Sequence, residues 1–377
     1  MNLTLCISTL GTGGAERVAV LLCNRWAALG HRVTLVTLDH GETLAYPLCP
    51  QVRRVALHGG FPPGKQGLRK LLHRPLGLWH LRRLLVRTSP DVVISFMDLT
   101  NLIVLLVTLG SSLPVVVAER NDPARRILPR PLAAARRLLY PRAAAVVVQT
   151  RRVRGWFERF LQSRLLTVIE NPLPHRDDRG SSDAGEPGLD LQHPAVVAMG
   201  RLTPQKGFDL LLEAFAEVRA EPRPHLYLLG SGPLREALEH QAERLGLVGR
   251  VHFLGTVRNP GAILRKADLF VLSSRYEGFP NALCEAMACG LPVVSADCPC
   301  GPAELIEPEK NGLLVPPGSS AALCLAMERL LGDPGLARRL GREAERIVER
   351  LSLERIAEEW LTLFTAIAAA GRTAQQA

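Results

Sequence analysis

The sequence predicts an α/β protein with two doubly wound domains, each a parallel sheet covered by helices, followed by a helical C-terminal tail. Short, nearly continuous Val, Ile and Leu runs alternate with helical patterns, as parallel strands that are buried on both faces require. The alternation stops once, at residues 171–193, and then restarts. A chain of 377 residues is also long for one compact core and suits two domains of ordinary size.

The first domain is predicted over residues 1–170. Its strand candidates are the runs LTLCIS, HRVTLVTL, DVVISF, PVVVAE, AAVVVQ and LLTVIE, each followed by a helical pattern. The run LIVLLVTLG at residues 102–110 is too short to span a membrane and predicts a buried helix. Met1 leads directly into the first strand, so we expect no signal peptide.

Residues 171–193 gather Pro, Gly, Ser and Asp, and we interpret them as a linker. The second domain is predicted over residues 194–350, from the strand candidates AVVAMG, HLYLLG, RVHFLG, ADLFVL and LPVVSA. Residues 351–377 are expected to form a helix that packs back on the first domain. Sheets of this kind bind ligands outside the carboxyl ends of their strands, so we expect the site residues in the loops that follow the strands.

The composition is that of a globular protein, with 47% hydrophobic and 22% charged residues, which excludes a disordered chain. The eight cysteines follow no disulfide framework or zinc pattern, so we expect reduced thiols in a cytoplasmic protein. Residues 1–170 hold 24 Lys and Arg against 9 Asp and Glu, whereas the remainder holds 22 against 27. This asymmetry indicates an anionic partner near the first domain: nucleic acid, a membrane surface or a phosphorylated lipid.

A glycine turn follows the first strand, in STLGTGGAERVAV. Gly13 and Gly14 would let backbone amides at the start of a helix near Ala15 approach a phosphate, because glycine has no Cβ and a helix N-terminus is positive. A dinucleotide-binding fingerprint would need a third glycine where Glu16 stands. The turn is therefore either a phosphate site or simply a tight connection.

Two cations follow the first strand of the second domain. Arg201 and Lys206 come after AVVAMG, just before a helix that we expect to begin near Gly207. Cations beside a helix N-terminus make a site for a diphosphate. The alternative is two solvated loop charges, which is the usual state of Lys and Arg.

Two glutamates are separated by eight positions in SRYEGFPNALCEAMACG. Glu277 lies in the loop after ADLFVLSS, where its carboxylate would face a sugar. Glu285 lies about one turn into a helix predicted to begin near Asn281, where it would accept hydrogen bonds from ribose hydroxyls. Two surface carboxylates are the alternative, but the small and apolar residues around Glu285 make a partner necessary.

These motifs together resemble glycosyltransferase family 4. The resemblance rests on GTGGAE, GRLTPQKGFDLLLEAF, GSGPLREALE, the E-x7-E helix, GPAELI and NGLLVPPGS, which occur in this order over nearly the whole chain. Members of the family have two Rossmann-like domains facing across a cleft, the arrangement called GT-B. The resemblance therefore implies a retaining glycosyltransferase that uses a nucleotide sugar, foremost a UDP-sugar, with GDP as the alternative.

The resemblance also assigns roles to residues. Arg201 and Lys206 would bind the donor diphosphate and stabilise the leaving nucleotide, and Glu277 would contact the donor sugar. The substrate-binding set that it implies is Gly13, Gly14, Phe253, Leu254, Phe279, Pro280, Asn281, Ala282 and Glu285. Backbone near Phe253 and Leu254 would meet the base.

The chain has no D-x-D sequence, the familiar means of holding a metal on a sugar diphosphate. Cationic side chains and a helix N-terminus can neutralise the leaving group instead, so we expect transfer without a metal or other cofactor. One departure from the family concerns the segment after PVVVAE, where many members have a histidine and this chain has Arg120. Arg120 either binds a phosphate of donor or acceptor or forms a structural pair with Asp122.

The acceptor is indicated by two basic stretches and a second resemblance. Residues 65–87 combine seven Lys and Arg with many leucines and Trp79, and Arg125–Arg137 adds five arginines. Basic amphipathic helices bind anionic membranes, although a solvated helix face is the alternative. SRYEGFPNALCEAMACGLPVVSADC and VISFMDLTN are similar to the subgroup that extends undecaprenyl-diphosphate-linked oligosaccharides, which implies a lipid-diphosphate-linked saccharide acceptor at the inner face of the cytoplasmic membrane.

Three other functions fit parts of the sequence less well. A nucleotide-sugar epimerase has the same two-domain build, but we identify no acids and bases around the sugar for it. A dinucleotide oxidoreductase lacks its third glycine. A nucleic-acid binder leaves Arg201, Lys206 and both glutamates without a role, and only 5% of residues are aromatic, where stacking on bases would need more.

Overall fold

The computed structural model describes residues 1–11, 13–39, 44–57, 68–174 and 190–376, without the side chains of 68–75 and 372–376. The chain divides into two compact units. The first unit comprises Met1–Pro172 together with Leu353–Ala377, and the second comprises Leu173–Ser352. Most of the linker predicted at residues 171–193 lies outside the described residues.

The first unit is a parallel sheet whose strands alternate with helices. In chain order its elements are β1 (Asn2–Ile7), α1 (Gly14–Ala28), β2 (Arg32–Thr37), β3 (Arg53–Ala56), α2 (Leu68–Thr88), β4 (Val92–Phe96), α3 (Asp98–Val107), β5 (Val115–Ala118), α4 (Arg130–Leu139), β6 (Ala145–Val148), α5 (Arg151–Phe157) and β7 (Leu166–Val168). The sheet order is β3-β2-β1-β4-β5-β6-β7. The predicted alternation is confirmed, and the apolar run after β4 forms the buried helix α3 as expected.

The second unit repeats this plan with a six-stranded sheet. Its elements are β8 (Ala195–Met199), α6 (Phe208–Glu217), β9 (His225–Leu229), α7 (Arg235–Arg244), β10 (Val251–Gly255), α8 (Pro260–Leu264), β11 (Leu269–Leu272), α9 (Asn281–Met287), β12 (Val293–Ala296), α10 (Pro302–Leu305), β13 (Leu313–Val315), α11 (Ser320–Gly332), α12 (Pro334–Glu345) and α13 (Ile347–Arg350). The sheet order is β10-β9-β8-β11-β12-β13.

The last helix, α14 (Leu353–Gln376), belongs to the first unit. It packs on α1, where the centroid of the Trp26 ring lies 6.3 Å from that of Trp360 and 5.3 Å from that of Phe364. The Trp360 ring also lies 6.1 Å from Phe96 at the end of β4. All four rings are fully buried, so this aromatic cluster fixes the returning helix to the sheet of the first unit.

Candidate active site

The strand order of the second unit brings two distant loops together. β8 and β11 are hydrogen-bonded neighbours although two strands separate them in sequence, so the chain reverses its winding direction between them. Ligands of doubly wound sheets bind at such a point, outside the carboxyl ends of the strands. The loop after β8 contains Arg201 and Lys206, and the loop after β11 contains Glu277.

Lys206 and Glu277 form an ion pair at this point. Lys206 Nζ lies 2.6 Å from Glu277 Oε1, and the side chains are only 16% and 5% exposed. Ser274 Oγ donates to the same Oε1 at 2.6 Å. The second oxygen, Oε2, has no hydrogen-bond partner among the described residues. The Glu277 carboxylate is thus held through one oxygen and can accept from a ligand through the other, while Lys206 retains two further N–H donors.

Five further hydrogen bonds join the loop after β11 to the loop after β8 and the start of helix α6. Arg275 donates to both carboxylate oxygens of Asp209 at 2.8 and 2.6 Å, and these bonds lower the pKa of Asp209. The Arg275 amide donates to Gln205 O at 2.8 Å, and Gln205 Nε2 donates to Tyr276 O at 3.0 Å. Ser273 Oγ donates to Lys206 O at 2.9 Å. Lys206 and Glu277 therefore lie on segments whose separation is fixed by side-chain and backbone hydrogen bonds.

Two glycines make room for this arrangement. A Cβ on Gly200 would lie 2.9 Å from Cδ and Cε of Lys206, so the lysine stem packs directly on the end of β8. Gly207 has φ +62°, and a Cβ there would lie 2.2 Å from Ser273 O. Only glycine allows both the left-handed backbone and the close approach of the two loops at this position.

Most of the other residues predicted for the second unit lie in the same two loops and on the helix that follows the second of them. Arg201 is exposed and bonds to no described residue through its side chain. α9 begins at Asn281 as predicted, after Pro280 and Phe279, which are both buried. Ala282 and Glu285 are partly exposed on this seven-residue helix.

Phe253 and Leu254 lie farther away, on β10, two strands from β8. Both are partly buried, and the carbonyl oxygen of Phe253 accepts a hydrogen bond of 3.3 Å from the Arg235 guanidinium. Sequence reasoning missed Ser274, Arg275 and Asp209. The spacing of Ser274 and Glu277, three residues apart, was a usable signal for a side-chain hydrogen bond.

The glycine turn of the first unit is occupied by a side chain of the chain itself. Gly13 is the N-cap of α1 and Gly14 is its first residue. The Glu16 carboxylate folds back over Gly13, since a Cβ on Gly13 would lie 2.0 Å from Glu16 Oε2, and Thr9 Oγ1 donates to Glu16 Oε1 at 3.3 Å. A phosphate at this turn would have to displace that carboxylate.

Arg120 is buried at the end of β5. Its guanidinium carbon lies 3.9 Å from the centroid of the Phe96 ring, and Nη1 donates to Asn171 Oδ1 at 2.7 Å. Nε and Nη2 have no partner among the described residues. Burial lowers the pKa of this guanidinium. Arg120 and Asp122 do not pair with each other, because the Asp122 carboxylate instead accepts from the amide of Ala124 at 2.9 Å.

No group of three or more His, Cys, Asp and Glu side chains in the described ranges is arranged to hold a metal ion. None of the described helices is both long and apolar enough to cross a bilayer.

Two family models match successive parts of the chain. Residues 12–176 match "Glycosyltransferase Family 4", and residues 182–347 match "Glycosyl transferases group 1". A Campylobacter jejuni α-1,4-N-acetyl-D-galactosaminyltransferase, named for GalNAc-GalNAc-diNAcBac-PP-undecaprenol, is 29% identical over 97% of this chain and 99% of its own. A second galactosaminyltransferase of the same bacterium, named for a diacetylbacillosaminyl-diphospho-undecaprenol, is 25% identical over 96% of this chain and 98% of its own.

Solved structures share the fold. Sucrose-phosphate synthase from Thermosynechococcus elongatus superposes with a TM-score of 0.81 at 24% identity, covering 98% of this chain and 100% of its own. HepE from Anabaena, solved in complex with UDP, superposes with a TM-score of 0.79 at 20% identity, covering 97% of this chain and 100% of its own. The GT-B fold predicted from the sequence motifs is confirmed.

Proposed function

The chain belongs to family 4 of the glycosyltransferases, and on that premise we propose that it moves a hexose or N-acetylhexosamine from a nucleotide sugar to a lipid-linked saccharide during surface polysaccharide or glycan assembly. Its matches to two glycosyltransferase models do not favour the alternative of a nucleotide-sugar epimerase. The donor is proposed to be a UDP-sugar, since solved neighbours of this fold were obtained with UDP.

The ion pair of Lys206 and Glu277 is the observation that supports this proposal best. A nucleotide sugar needs a cation for its diphosphate and, beside it, a hydrogen-bond acceptor for the hydroxyls of the sugar attached to that diphosphate. Lys206 offers two N–H donors beyond the one directed at Glu277, and Glu277 offers Oε2. We assign the diphosphate to Lys206 and to the exposed Arg201, and a donor-sugar hydroxyl to Glu277.

The remaining assignments follow the family pattern. Glu285 would accept from the ribose hydroxyls, while backbone from Phe279 to Ala282 would hold sugar and phosphate. Backbone of Phe253 and Leu254 would meet the base. Gly13 and Gly14 would approach the diphosphate after Glu16 swings away, and Arg120 would bind a phosphate of donor or acceptor.

The proposed transfer retains the anomeric configuration. The acceptor hydroxyl attacks the anomeric carbon from the face of the leaving group, forming the new C–O bond as the bond to the donor diphosphate breaks. The departing phosphate oxygen takes the hydroxyl proton. Lys206 and Arg201 stabilise the charge that accumulates on that diphosphate, the task that a metal ion performs elsewhere.

A donor and acceptor panel tests this proposal. Purified chain is incubated with UDP- and GDP-linked hexoses and N-acetylhexosamines and with polyprenyl-diphosphate-linked saccharides, and the products are identified by mass spectrometry and anomeric NMR couplings. We expect one sugar donor to give an α-linked product from an α-linked donor, at a rate that EDTA leaves unchanged. An inverted product, or interconversion of the donor without transfer, would refute the proposed reaction.

The acceptor also implies attachment to the anionic inner face of the cytoplasmic membrane, which we propose for helix α2. Its described residues Leu76, Trp79 and Val86 are 54%, 51% and 50% exposed. Positions 76, 79, 83 and 86 follow helical spacing, and position 83 holds Arg83, whose guanidinium stacks 4.9 Å from the Trp79 ring. An exposed apolar stripe with cations is typical of helices that lie in a membrane interface. The cations Lys65, Arg69, Lys70 and Arg74 lie outside the described side chains.

Sedimentation with vesicles tests the attachment. The chain should sediment with vesicles that contain anionic lipid and stay in solution with neutral ones. Trp79→Ser should reduce the bound fraction several-fold, because it removes the largest exposed side chain of the stripe. Val248→Ser, which removes a 75% exposed apolar residue of the second unit, is the matched control. Equal recovery with both vesicle types would rule out attachment by charge.

A further inference from the structure

The first unit contains a cavity that the proposed transfer does not use. It has a volume of about 250 Å³ and lies between helix α4, the loop before that helix and the end of helix α5. Its walls include Pro123, Ala133, Arg136, Arg137, Trp156 and Phe160. We call it the Trp156 cavity.

A buried cation lines this cavity. Arg136 is 5% exposed, and its guanidinium carbon lies 4.6 Å from the centroid of the Trp156 ring. Arg136 forms no ion pair with a described residue, and its Nε has no hydrogen-bond partner there. Burial raises the pKa of Glu119, and the charge of Arg136 offsets only part of that rise, while the carboxyl itself is hydrogen-bonded by Tyr140. A buried guanidinium without a direct counter-charge favours an anionic ligand.

The surface beside the cavity combines apolar side chains with cations. Ile127 is 84% exposed and Leu138 is 65% exposed, although both are large aliphatic residues. The exposed side chains of Arg125, Arg130 and Arg137 bond to no residue in the described part of the chain. Apolar surface rimmed by unpaired cations is complementary to an amphiphile with an anionic head.

We propose that the Trp156 cavity binds the isoprenoid diphosphate end of the acceptor lipid, with the first prenyl units against Trp156 and Phe160 and the diphosphate against Arg136 and Arg137. This inference rests on the lipid-linked acceptor proposed above. The cavity is smaller than the roughly 300–1,000 Å³ of pockets that take drug-sized ligands. It therefore suits one branched chain better than the two acyl chains of a phospholipid.

Direct binding of farnesyl diphosphate, a soluble isoprenoid diphosphate, tests the site without requiring transfer. Isothermal titration should detect binding to the wild-type chain. Ala133→Leu, which fills the cavity from α4, should weaken binding about tenfold or more, the scale at which a hydrophobic pocket rejects extra methylenes. Ala134→Leu makes the same change at the next, exposed position of α4 and should bind as the wild type does.

A charge-removal pair tests the diphosphate contact. Arg137→Gln should weaken farnesyl diphosphate about fivefold, as expected for one favourably placed cation. Arg142→Gln removes an exposed arginine that bonds to Leu138 O and should change nothing. Farnesol should bind the wild type more weakly than farnesyl diphosphate does. Because farnesol has no charge, the wild type and Arg137→Gln should bind it with equal affinity.

Equal affinity of the wild type, Ala133→Leu and Arg137→Gln for farnesyl diphosphate would overturn the inference. Binding of phosphatidylglycerol vesicles that depends on Ala133, without binding of farnesyl diphosphate, would also overturn it and assign the cavity to membrane phospholipid. The proposed function fails separately: a chain that binds farnesyl diphosphate in the cavity but transfers no sugar supports this site and refutes the transfer reaction.

Discussion

The polar groups at the strand ends of the two units differ in how completely they are paired. After β8 and β11, Lys206 pairs with Glu277, and Arg275 pairs with Asp209. After β5, buried polar atoms lack partners in the described part of the chain, namely Arg120 Nε, Arg120 Nη2, Asn121 Nδ2 and Asp122 Oδ2, together with Asn101 Oδ1 on α3.

This difference indicates that the second unit is preorganised for a ligand, whereas the first unit is not. An unsatisfied buried polar atom costs roughly 1–3 kcal/mol, so a folded chain retains such atoms mainly where another molecule satisfies them. The second unit holds its charges in a fixed geometry before any ligand arrives. The first unit is expected to complete its hydrogen bonding through a bound molecule, either ordered water or substrate.

Removing Lys206 should have the largest effect. Lys206→Ala is expected to slow transfer about 10²- to 10³-fold, the loss typical of removing one preorganised donor to a developing anion. It should also lower the free energy of unfolding, because Glu277 would stay buried without its cation. Initial rates and thermal melts measure the two effects. Lys310→Ala, which removes an exposed lysine paired with Glu307, is the control.

The double variant Lys206→Met, Glu277→Met separates catalysis from folding. It leaves no buried charge, so thermal stability should return toward that of the wild type while transfer remains slow. Wild-type rates in Lys206→Ala would show that the ion pair of Lys206 and Glu277 takes no part in transfer.

A buried carboxyl of the first unit should give a pH-dependent loss of stability. Burial raises the pKa of Glu119 from 4.5 to about 7, although the hydroxyl of Tyr140 donates to it. Between these two values the folded chain binds this proton more tightly than the unfolded chain does. The contribution of protonated Glu119 to the free energy of unfolding is therefore complete below pH 4.5 and is lost as the pH rises through about 7.

Glu119→Gln should remove that dependence, since the amide oxygen can accept from Tyr140 at every pH. At pH 8 the variant should exceed the wild type in unfolding free energy by up to about 3 kcal/mol. Urea denaturation from pH 4 to 9 measures it. Glu158→Gln, which changes an exposed carboxylate paired with Arg154, should leave the pH profile unaltered. Parallel profiles of Glu119→Gln and the wild type would contradict the assigned cause.

The contact of Arg275 with Asp209 should act on rate more than on stability. Both side chains are more than a third exposed, so the ion pair adds little to the free energy of unfolding. Arg275→Ala loosens the loops that hold Lys206 and Glu277, and transfer should slow about tenfold through misplacement of these groups. Arg329→Ala breaks a more exposed two-bond pair with Glu309, remote in sequence from both loops, and should keep the wild-type rate. Equal rates in both variants would show that the loops hold their geometry without Arg275.

The fold was predictable where strands are continuous and buried. Runs such as VVISF and AVVAM are apolar throughout and became β4 and β8. The edge strands β3 and β13 were missed, because RRVA begins with two arginines and LLV is only three residues long. Pairing with a neighbouring strand stabilises such segments, and that information is absent from the local pattern.

Individual site residues were predictable, but their mutual contacts were not. Lys206 and Glu277 were named from their positions after strands, yet 71 residues separate them, and their direct pairing follows from the adjacency of β8 and β11. The Glu16 carboxylate over Gly13 and the unpaired atoms of Arg120 likewise depend on side-chain orientation. Spacing along a sequence does not determine such orientations.

The smallest expected effect comes from one methyl group. Gly200→Ala places a Cβ 2.9 Å from the Lys206 stem, which is flexible and can move aside, so stability should barely change. Displacing the ammonium group should still slow transfer about threefold, because catalysis is more sensitive to position than folding is. Gly332→Ala adds the same methyl group where no atom lies within 4 Å and should leave the rate unchanged. A wild-type rate in Gly200→Ala would mean that transfer tolerates movement of the Lys206 ammonium group. The two units would then differ in whether their polar groups are paired, and not in how rigidly those groups are held.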